Sequence, residues 1–285
     1  MDLTLADVLT LSTVRIETPS PKDATIPLVG TGFFFAFEGT EDHIPTIVTC
    51  AHNVVGANEG GRLYFQPVDS DGRVVPDGEC TCADIGTSEK PFADWWHVHP
   101  DYPSVDLAVM LVWDVPEIRA LGPRGASFSR SDIPDVFTRL TPVEEVVMVG
   151  YPNGQWDAIS GAPIVRRGIT ATDYRRSYEG QPEFLTDIAA FEGSSGSPIV
   201  LFNPHGFMDR RSFVPQPRLH LLGVHAEGVE MDFEGRLVRK PAGRVTTPVV
   251  NIPMNLGVAI KAEQILRFGS LVRQLDDQAR RERAL

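Results

Sequence analysis

The sequence lacks long apolar runs and is poor in positive charge. No stretch of its 285 residues approaches the ~18 uninterrupted apolar residues that a membrane-spanning helix needs, so we expect no contact with a membrane. Lys and Arg number 26 against 38 Asp and Glu, which gives a net charge of -12 at pH 7. A negative field of that size argues against nucleic acid or anionic lipid as the main partner.

Cysteine is scarce, and the amino terminus does not resemble a secretory signal. The first seven residues have no basic segment and include Asp2 and Asp7. The three cysteines, Cys50, Cys80 and Cys82, form neither an even disulfide set nor two pairs at zinc-site spacing. We therefore expect free thiols, no metal or other cofactor, and a cytoplasmic location.

Glycine and proline, in contrast, are abundant, with 25 and 23 residues. Together they make up about one residue in six, above the usual ~12%. This excess favours many turns and short strands over long helices. About a dozen short apolar runs separated by turn residues predict an all-β protein, built as antiparallel barrels or a sandwich.

The two ends of the chain have helical patterns. Thr4 with Asp7 three residues later is typical of a capped helix start, so residues 4–12 are predicted as a short helix. Apolar residues at helical spacing predict a second helix over residues 261–285, interrupted at Gly269.

Between these helices, turn-forming residues separate two β units. The region around residues 118–141 is rich in Pro and Gly and is predicted as the linker between them. Two other long segments, Asn203–Arg218 and Glu230–Asn255, hold several Pro and Arg and are predicted as loops. The expected organisation is a first β unit over 1–117, the linker over 118–141, a second β unit over 142–260 and the helix over 261–285.

The segment Glu192–Ile199 concentrates serine and glycine. A reactive hydroxyl must be exposed on a tight turn, with backbone N–H groups aimed at one point, and small residues permit that geometry. Gly193 offers an N–H with no side chain in the way, while Ser195 offers a second N–H and a hydroxyl. Taken alone, this pattern is also typical of ordinary glycine-rich loops.

A serine hydroxyl needs a base to become a nucleophile, and the base needs an orienting acid. His52 follows one apolar strand, and Asp106 stands at the start of another. The linker falls between Asp106 and Ser195. The first β unit would thus supply base and acid and the second the nucleophile, with the active site in the cleft between them.

These segments resemble those of trypsin-like serine peptidases of the chymotrypsin fold, in their bacterial, disulfide-free branch. Each motif is weak alone, but together they keep the family's order over most of the chain. The resemblance implies two antiparallel six-stranded β-barrels, here with a C-terminal helix. The matching segments are Gly30–Phe33, Thr49–His52, His99–Tyr102, Asp106–Ala108, Val149–Pro152, Arg167–Thr170, Glu192–Ile199, Leu222–His225 and Asn255–Ile260.

The resemblance implies a role for each matching residue. Ser195 would be the nucleophile, His52 the general base and acid, and Asp106 the carboxylate that fixes the tautomer of His52. The N–H groups of Gly193 and Ser195 would form the oxyanion hole. Ser194 departs from the Asp or Asn that is usual before the nucleophile, a departure shared with relatives that resemble glutamyl endopeptidases.

In this family the residues before the nucleophile line the pocket for the cleavage-site residue, the one whose carbonyl is attacked. Ala189 and Ala190 stand six and five positions before Ser195. Selecting Lys or Arg by charge needs a carboxylate in this pocket, so Ala189 argues against basic specificity.

The strand after the nucleophile lines the other wall of this pocket. His225 stands where glutamyl endopeptidases and viral 3C-like peptidases have a histidine that contacts a Glu or Gln of the substrate, and it could donate to either. A strand histidine bonded to a backbone carbonyl is the competing interpretation. We expect Glu, Gln or a small uncharged cleavage-site residue, with Ala226 and Gly228 on the edge that pairs with substrate backbone.

The sequence thus predicts a serine endopeptidase that acts on polypeptides through an acyl-enzyme, in an intracellular, regulatory setting with a possible partner protein. His52 must be neutral to act as a base, so activity should fall in acid. The alternative is a catalytically silent peptide-binding module that uses the same cleft.

Overall fold

The computed structural model begins with a short capped helix. α1 spans Leu5–Leu11, and Thr4 and Asp7 cap it reciprocally: Thr4 Oγ1 accepts from the Asp7 N–H at 3.1 Å, and Asp7 Oδ2 accepts from the Thr4 N–H at 2.8 Å. The predicted N-terminal helix is confirmed. The structure describes residues 3–20, 26–39, 42–121, 126–135, 138–209, 212–234 and 249–283.

The first β unit is a single eight-stranded sheet. Seven strands run in the order β5-β4-β1-β2-β3-β7-β6, and β8 pairs with β2 in parallel. All other pairs in this sheet are antiparallel. The strands are β1 (Thr13–Thr18), β2 (Leu28–Glu38), β3 (His43–Thr49), β4 (Gly61–Phe65), β5 (Thr81–Ile85), β6 (His97–Val98), β7 (Ala108–Leu111) and β8 (Phe128–Ser129).

This sheet is open along the described residues, which differs from the closed six-stranded barrel expected for the first unit. The edge strand β6 has only two residues, because a 3-10 helix over Phe92–Trp95 occupies the chain just before it. That helix buries Phe92 against Gly61 on β4, where a Cβ would lie 2.6 Å from the Phe92 ring. Among the described residues, β5 pairs with β4 alone and β6 with β7 alone, so the sheet has two edges and does not close.

The second β unit is a closed six-stranded barrel, as expected. Its strands follow one another around the barrel in the order β10-β11-β16-β15-β12-β9, and every neighbouring pair is antiparallel. A separate hairpin pairs β13 with β14. The strands are β9 (Glu145–Gly150), β10 (Ile164–Thr170), β11 (Glu183–Asp187), β12 (Pro198–Asn203), β13 (Phe207–Asp209), β14 (Ser212–Val214), β15 (Arg218–Glu234) and β16 (Val249–Lys261).

The two segments predicted as loops contain strand residues. β13 and β14 lie within the first predicted loop, 203–218. In the second predicted loop, 230–255, β15 continues to Glu234 and β16 begins at Val249. The loop predictions were wrong for these strand residues, because two facing strands satisfy each other's backbone groups. Pro253, which has no N–H to donate, lies opposite Glu230, next to a shift in the register of the pair. Residues 235–248 lie outside the described part of the chain.

The C-terminal helix packs across both β units. A 3-10 helix (Ala262–Phe268) leads into an α-helix (Gly269–Arg283), so the predicted interruption at Gly269 is a change of helix type. Ile265, Phe268 and Val272 share one core with Phe33 of β2 and residues of the barrel.

The remaining helices are short. α2 spans Pro116–Ala120, and the other 3-10 helices span Ala51–Asn53, Val112–Asp114, Arg130–Asp132 and Pro152–Gly154. Among the described residues, no helix combines the length and the apolar character needed to cross a bilayer.

Candidate active site

Two neighbouring strands bring His52 and Asp106 together. β3 ends at Thr49 and β7 begins at Ala108, and these two residues face each other in the antiparallel register. His52 therefore lies just beyond one strand and Asp106 just before the next, at the same edge of the sheet. The Ala51 N–H donates to the Asp106 carbonyl at 3.3 Å, which ties the two segments together.

The Asp106 carboxylate holds His52 through two separate contacts. Its Oδ1 accepts from the His52 backbone N–H at 3.0 Å, and its Oδ2 lies in short hydrogen-bond contact with His52 Nδ1. A carboxylate can only accept, so Nδ1 carries a proton, and in the neutral imidazole Nε2 then presents a lone pair. Nε2 has no hydrogen-bond partner among the described residues, and the side chain is 48% exposed. His52 and Asp106, which lie 54 positions apart in the chain, are thus in direct contact in the fold.

Ser195 stands on a tight turn that requires glycine on both sides. Gly193 and Gly196 have φ values of 84° and 89°. A Cβ on Gly193 would lie 2.4 Å from the Tyr151 carbonyl oxygen, and one on Gly196 would lie 1.8 Å from that of Thr31. The turn is closed by Ser194, which exchanges hydrogen bonds with the Phe191 backbone.

The two amides predicted as the oxyanion hole are available to a ligand. The Asn153 N–H donates to the Glu192 carbonyl at 2.5 Å. The Glu192 carbonyl and the Gly193 N–H belong to one trans peptide group, in which the two point in opposite directions. Because the carbonyl faces Asn153, the Gly193 N–H points away from Asn153. Neither the Gly193 nor the Ser195 N–H has an acceptor in the described parts of the chain. Asn153 is thus a site residue that the sequence reasoning missed.

The Ser195 hydroxyl does not bond to His52 in this structure. Its Oγ donates to the carbonyl oxygen of Ala226 at 2.8 Å. The register between β15 and β16 shifts between His225 and Glu227, so Ala226 sits in a bulge. Bulges re-aim backbone groups, and here the bulged carbonyl faces the serine turn.

A buried hydrogen-bond network fastens the serine turn to the first β unit. Thr31 on β2 donates its hydroxyl to the Gly193 carbonyl at 2.8 Å and its N–H to the Ser195 carbonyl at 2.9 Å. Asn53 Nδ2 also donates to the Ser195 carbonyl, at 2.9 Å. The sequence reasoning assigned no role to Thr31 or Asn53, although both lie within or beside its motifs.

His52, Gly193 and Ser195 line one cavity of about 660 Å³. Its other walls come from β1, from the segment Ile26–Gly30 and from the Asn153–Gly154 turn, and none of the five predicted pocket residues lines it. The predicted pocket residues lie elsewhere around the serine turn: Ala190, His225 and Ala226 are buried, Ala189 is half-buried and Gly228 is exposed.

His225 is held uncharged inside the barrel. Burial, and secondarily the nearby charge of His52, lowers the pKa of His225 to about 4. Its Nδ1 is buried without a hydrogen-bond partner among the described residues, so the competing bond from Nδ1 to a backbone carbonyl is not formed. Its ring lies against Gly257, where a Cβ would be 2.7 Å from Cε1.

The buried state of His225 predicts a pH-dependent stability. An unfolded histidine has a pKa of ~6.5, so between about pH 6.5 and 4 the unfolded chain binds more protons than the folded one. The free energy of unfolding should therefore fall as pH is lowered through this window, with a contribution from His225 of about 3 kcal/mol. Urea unfolding between pH 4 and 7 should show that the free energy of unfolding varies less with pH in His225→Gln than in the wild type. The exposed-site control His43→Gln should keep the pH dependence of the wild type. An equal dependence in all three proteins would contradict this assignment.

Three potential metal ligands also meet at this site. The ligand atoms of Cys50, His52 and Asp106 lie within 4.8 Å of one another. Burial raises the pKa of Cys50 well above its ordinary value, so the thiol stays protonated, and it donates to the His225 carbonyl at 3.2 Å. A protonated, buried thiol is a poor metal ligand, and the cluster does not favour a metal centre.

Comparison with known proteins identifies the family. A family model described as a trypsin-like peptidase domain matches residues 30–206. The chain is similar to the active form of the Rv3671c protease from M. tuberculosis, with 18% identity over 91% of this chain and 80% of that one, and a TM-score of 0.43. For the inactive form the values are 17% identity over 92% and 89% of the two chains, and a TM-score of 0.43. No curated protein sequence matches. The family match spans more than half of the chain, which therefore belongs to the trypsin-like peptidases and is a serine endopeptidase.

Proposed function

We propose that the protein cleaves polypeptides with Ser195 as nucleophile, His52 as general base and acid, and Asp106 as the group that orients His52. The observation that carries this proposal is the paired contact of Asp106 with His52, which leaves the Nε2 lone pair free beside the cavity that Ser195 also lines. The first β unit supplies base and acid and the second supplies the nucleophile, with residues 118–141 between them.

The proposed reaction proceeds in two halves. His52 Nε2 takes the Ser195 proton as Oγ attacks the substrate carbonyl, and the oxyanion receives hydrogen bonds from the Gly193 and Ser195 N–H groups. Each such donor is worth roughly 3–4 kcal/mol in the transition state. His52 then protonates the leaving amine, and water attacks the acyl-enzyme by the reverse sequence.

Substrate binding would release the serine for this chemistry. We place the substrate backbone along the edge from Ala226 to Gly228, where the N–H of the cleavage-site residue bonds to the Ala226 carbonyl. That carbonyl now accepts from Ser195 Oγ. A substrate N–H would compete for the same acceptor, and the displaced hydroxyl can rotate about χ1 towards His52.

The cleavage-site residue is proposed to be Glu, Gln or a small uncharged residue. Ala189 and Ala190 offer no carboxylate to a basic side chain. His225 is neutral above about pH 4 and can donate one hydrogen bond without supplying charge. We further propose that the protein works in the cytoplasm, since Cys50, Cys80 and Cys82 are free thiols, and that a partner protein regulates it.

A peptide library tests this proposal. Purified protein is incubated with the library at pH 5 to 8, and new amino termini are identified by mass spectrometry. We expect cleavage that declines in acid and is absent with Ser195→Ala. Saturable binding of peptides without any cleavage by the wild type would instead support a silent binding module.

The Thr31 hydroxyl is expected to matter for activity as well as stability. Thr31→Val removes the bond to the Gly193 carbonyl and leaves buried groups unpaired, which costs about 1–3 kcal/mol of stability. Because the oxyanion turn loses its anchor, kcat should also fall about 10- to 100-fold.

Thr46→Val is the matched control. Its buried hydroxyl also donates to a carbonyl at 2.8 Å, that of Phe35, within the first sheet. The Thr31 hydroxyl also accepts from the buried Tyr151 N–H at 3.1 Å, so we expect Thr46→Val to lower stability no more than Thr31→Val does, and to leave kcat unchanged. Equal kcat values for the two variants would contradict a positioning role for Thr31.

A further inference from the structure

Arg166 on β10 points into the barrel. Side chains along this strand alternate, with Val165 and Arg167 exposed and Arg166 half-buried between them. Arg167 lies on the outer face, where it pairs with Glu145 at 2.5 Å. The inward orientation brings Arg166 to the loop that precedes the nucleophile.

The guanidinium contacts this loop in two places. Nη1 donates to the Ala189 carbonyl at 2.9 Å, and Cζ lies 4.9 Å from the centre of the Phe191 ring. Ala189 and Phe191 stand six and four residues before Ser195. Arg166 thus lies against the loop that we assign to the wall of the cleavage-site pocket.

The described residues place no ion-pair partner beside Arg166. Within the described ranges, no carboxylate lies within 4.0 Å of its guanidinium, and its Nε is buried without a hydrogen-bond partner. A guanidinium has five N–H donors in a fixed fork, and the bond to Ala189 uses one of them. A buried donor without an acceptor is costly in a folded protein, so a carboxylate that reaches this guanidinium would be favoured.

We propose that Arg166 is a specificity-determining residue that selects substrates with an acidic side chain at the cleavage site. The inference rests on the proposed function. His225 is neutral and can donate to either Glu or Gln, so it brings no charge to the choice between them. Ala189 and Ala190 carry only methyl side chains in this loop, and we place the substrate carboxylate beside them, against the guanidinium. The charge of Arg166 then makes the distinction between Glu and Gln.

Matched peptides test this inference. We would measure kcat/KM for peptides that differ only at the cleavage site, with Glu, Gln or Ala there. Wild type should prefer Glu over Gln. Arg166→Gln should lower this ratio about 10- to 100-fold, the usual range for losing a charged hydrogen bond, by slowing the Glu peptide while sparing Gln and Ala.

Three further variants separate charge from structure. Arg167→Gln removes the same charge one residue away on the outer face and should keep the wild-type ratio. Arg166→Lys keeps a positive charge and should retain part of the Glu preference. Arg166→Met keeps an apolar side chain against Phe191 but carries no charge. It should lower the Glu-to-Gln ratio as Arg166→Gln does, and it replaces Arg166→Gln in the test if Arg166→Gln folds poorly.

Each alternative result is informative. A wild type that favours Gln or Ala over Glu, or Arg166 variants that slow all three peptides equally, would overturn the inference and leave the peptidase mechanism intact. A folded wild type that cleaves no peptide in the library would overturn the proposed function, and the specificity with it.

Discussion

Asp106→Asn is expected to lower kcat by about 10⁴-fold while leaving the fold unchanged. The reason lies in how the two carboxylate oxygens are used. The His52 backbone N–H can only donate, so the amide oxygen of an asparagine must take the place of Oδ1. The amide nitrogen then faces His52 Nδ1 and donates to it. This places the imidazole proton on Nε2, where it can no longer accept the Ser195 proton.

Steady-state kinetics with a cleaved peptide, together with thermal unfolding, would measure this effect. Asp84→Asn is the matched control, because Asp84 pairs with Arg62 on the exposed surface of the first sheet and should not affect kcat. If Asp106→Asn lowered kcat by less than tenfold and kept wild-type stability, the carboxylate would not set the tautomer of His52.

Ser195→Ala is expected to have the largest effect, a loss of kcat on the order of 10⁶-fold. The nucleophile disappears, and water must attack with only the oxyanion hole and binding contacts to assist. The double variant Ser195→Ala with His52→Ala should be no slower than either single one, because the two residues act as one unit.

Ser195→Ala should not weaken the binding of peptides, although it abolishes their cleavage. Ser195→Ala frees the Ala226 carbonyl from the hydroxyl that now bonds to it. Titration calorimetry should therefore show that an uncleaved peptide binds the variant at least as tightly as it binds the wild type. Weaker binding would mean that the hydroxyl does not compete with the substrate backbone for Ala226.

Local chemistry made several elements predictable from the sequence. The capping pair Thr4 and Asp7 identifies the first helix, because both partners lie within one turn. The glycines around Ser195 identify the tight turn, since only glycine tolerates the φ values at positions 193 and 196. In these cases, residues close in sequence determine the geometry.

Features that depend on distant register were not predictable. The bulge at Ala226 exists only through the pairing of β15 with β16, and the Thr31 network requires two β units to meet. The sequence does not distinguish Arg166 from Arg167, because two adjacent residues of the same type give no sign of which one faces inward. In the folded strand the two side chains lie on opposite faces, so Arg167 is exposed to solvent and Arg166 contacts the loop before Ser195.

Covalent labelling with a fluorophosphonate, followed by peptide mapping, tests the central claim most directly. The account predicts one adduct, on Ser195, that forms readily in wild type and in the exposed-serine control Ser88→Ala, and more than 100-fold more slowly in His52→Ala, because a serine without its base is a weak nucleophile. Labelling of another serine, or labelling of Ser195 at an equal rate without His52, would contradict it.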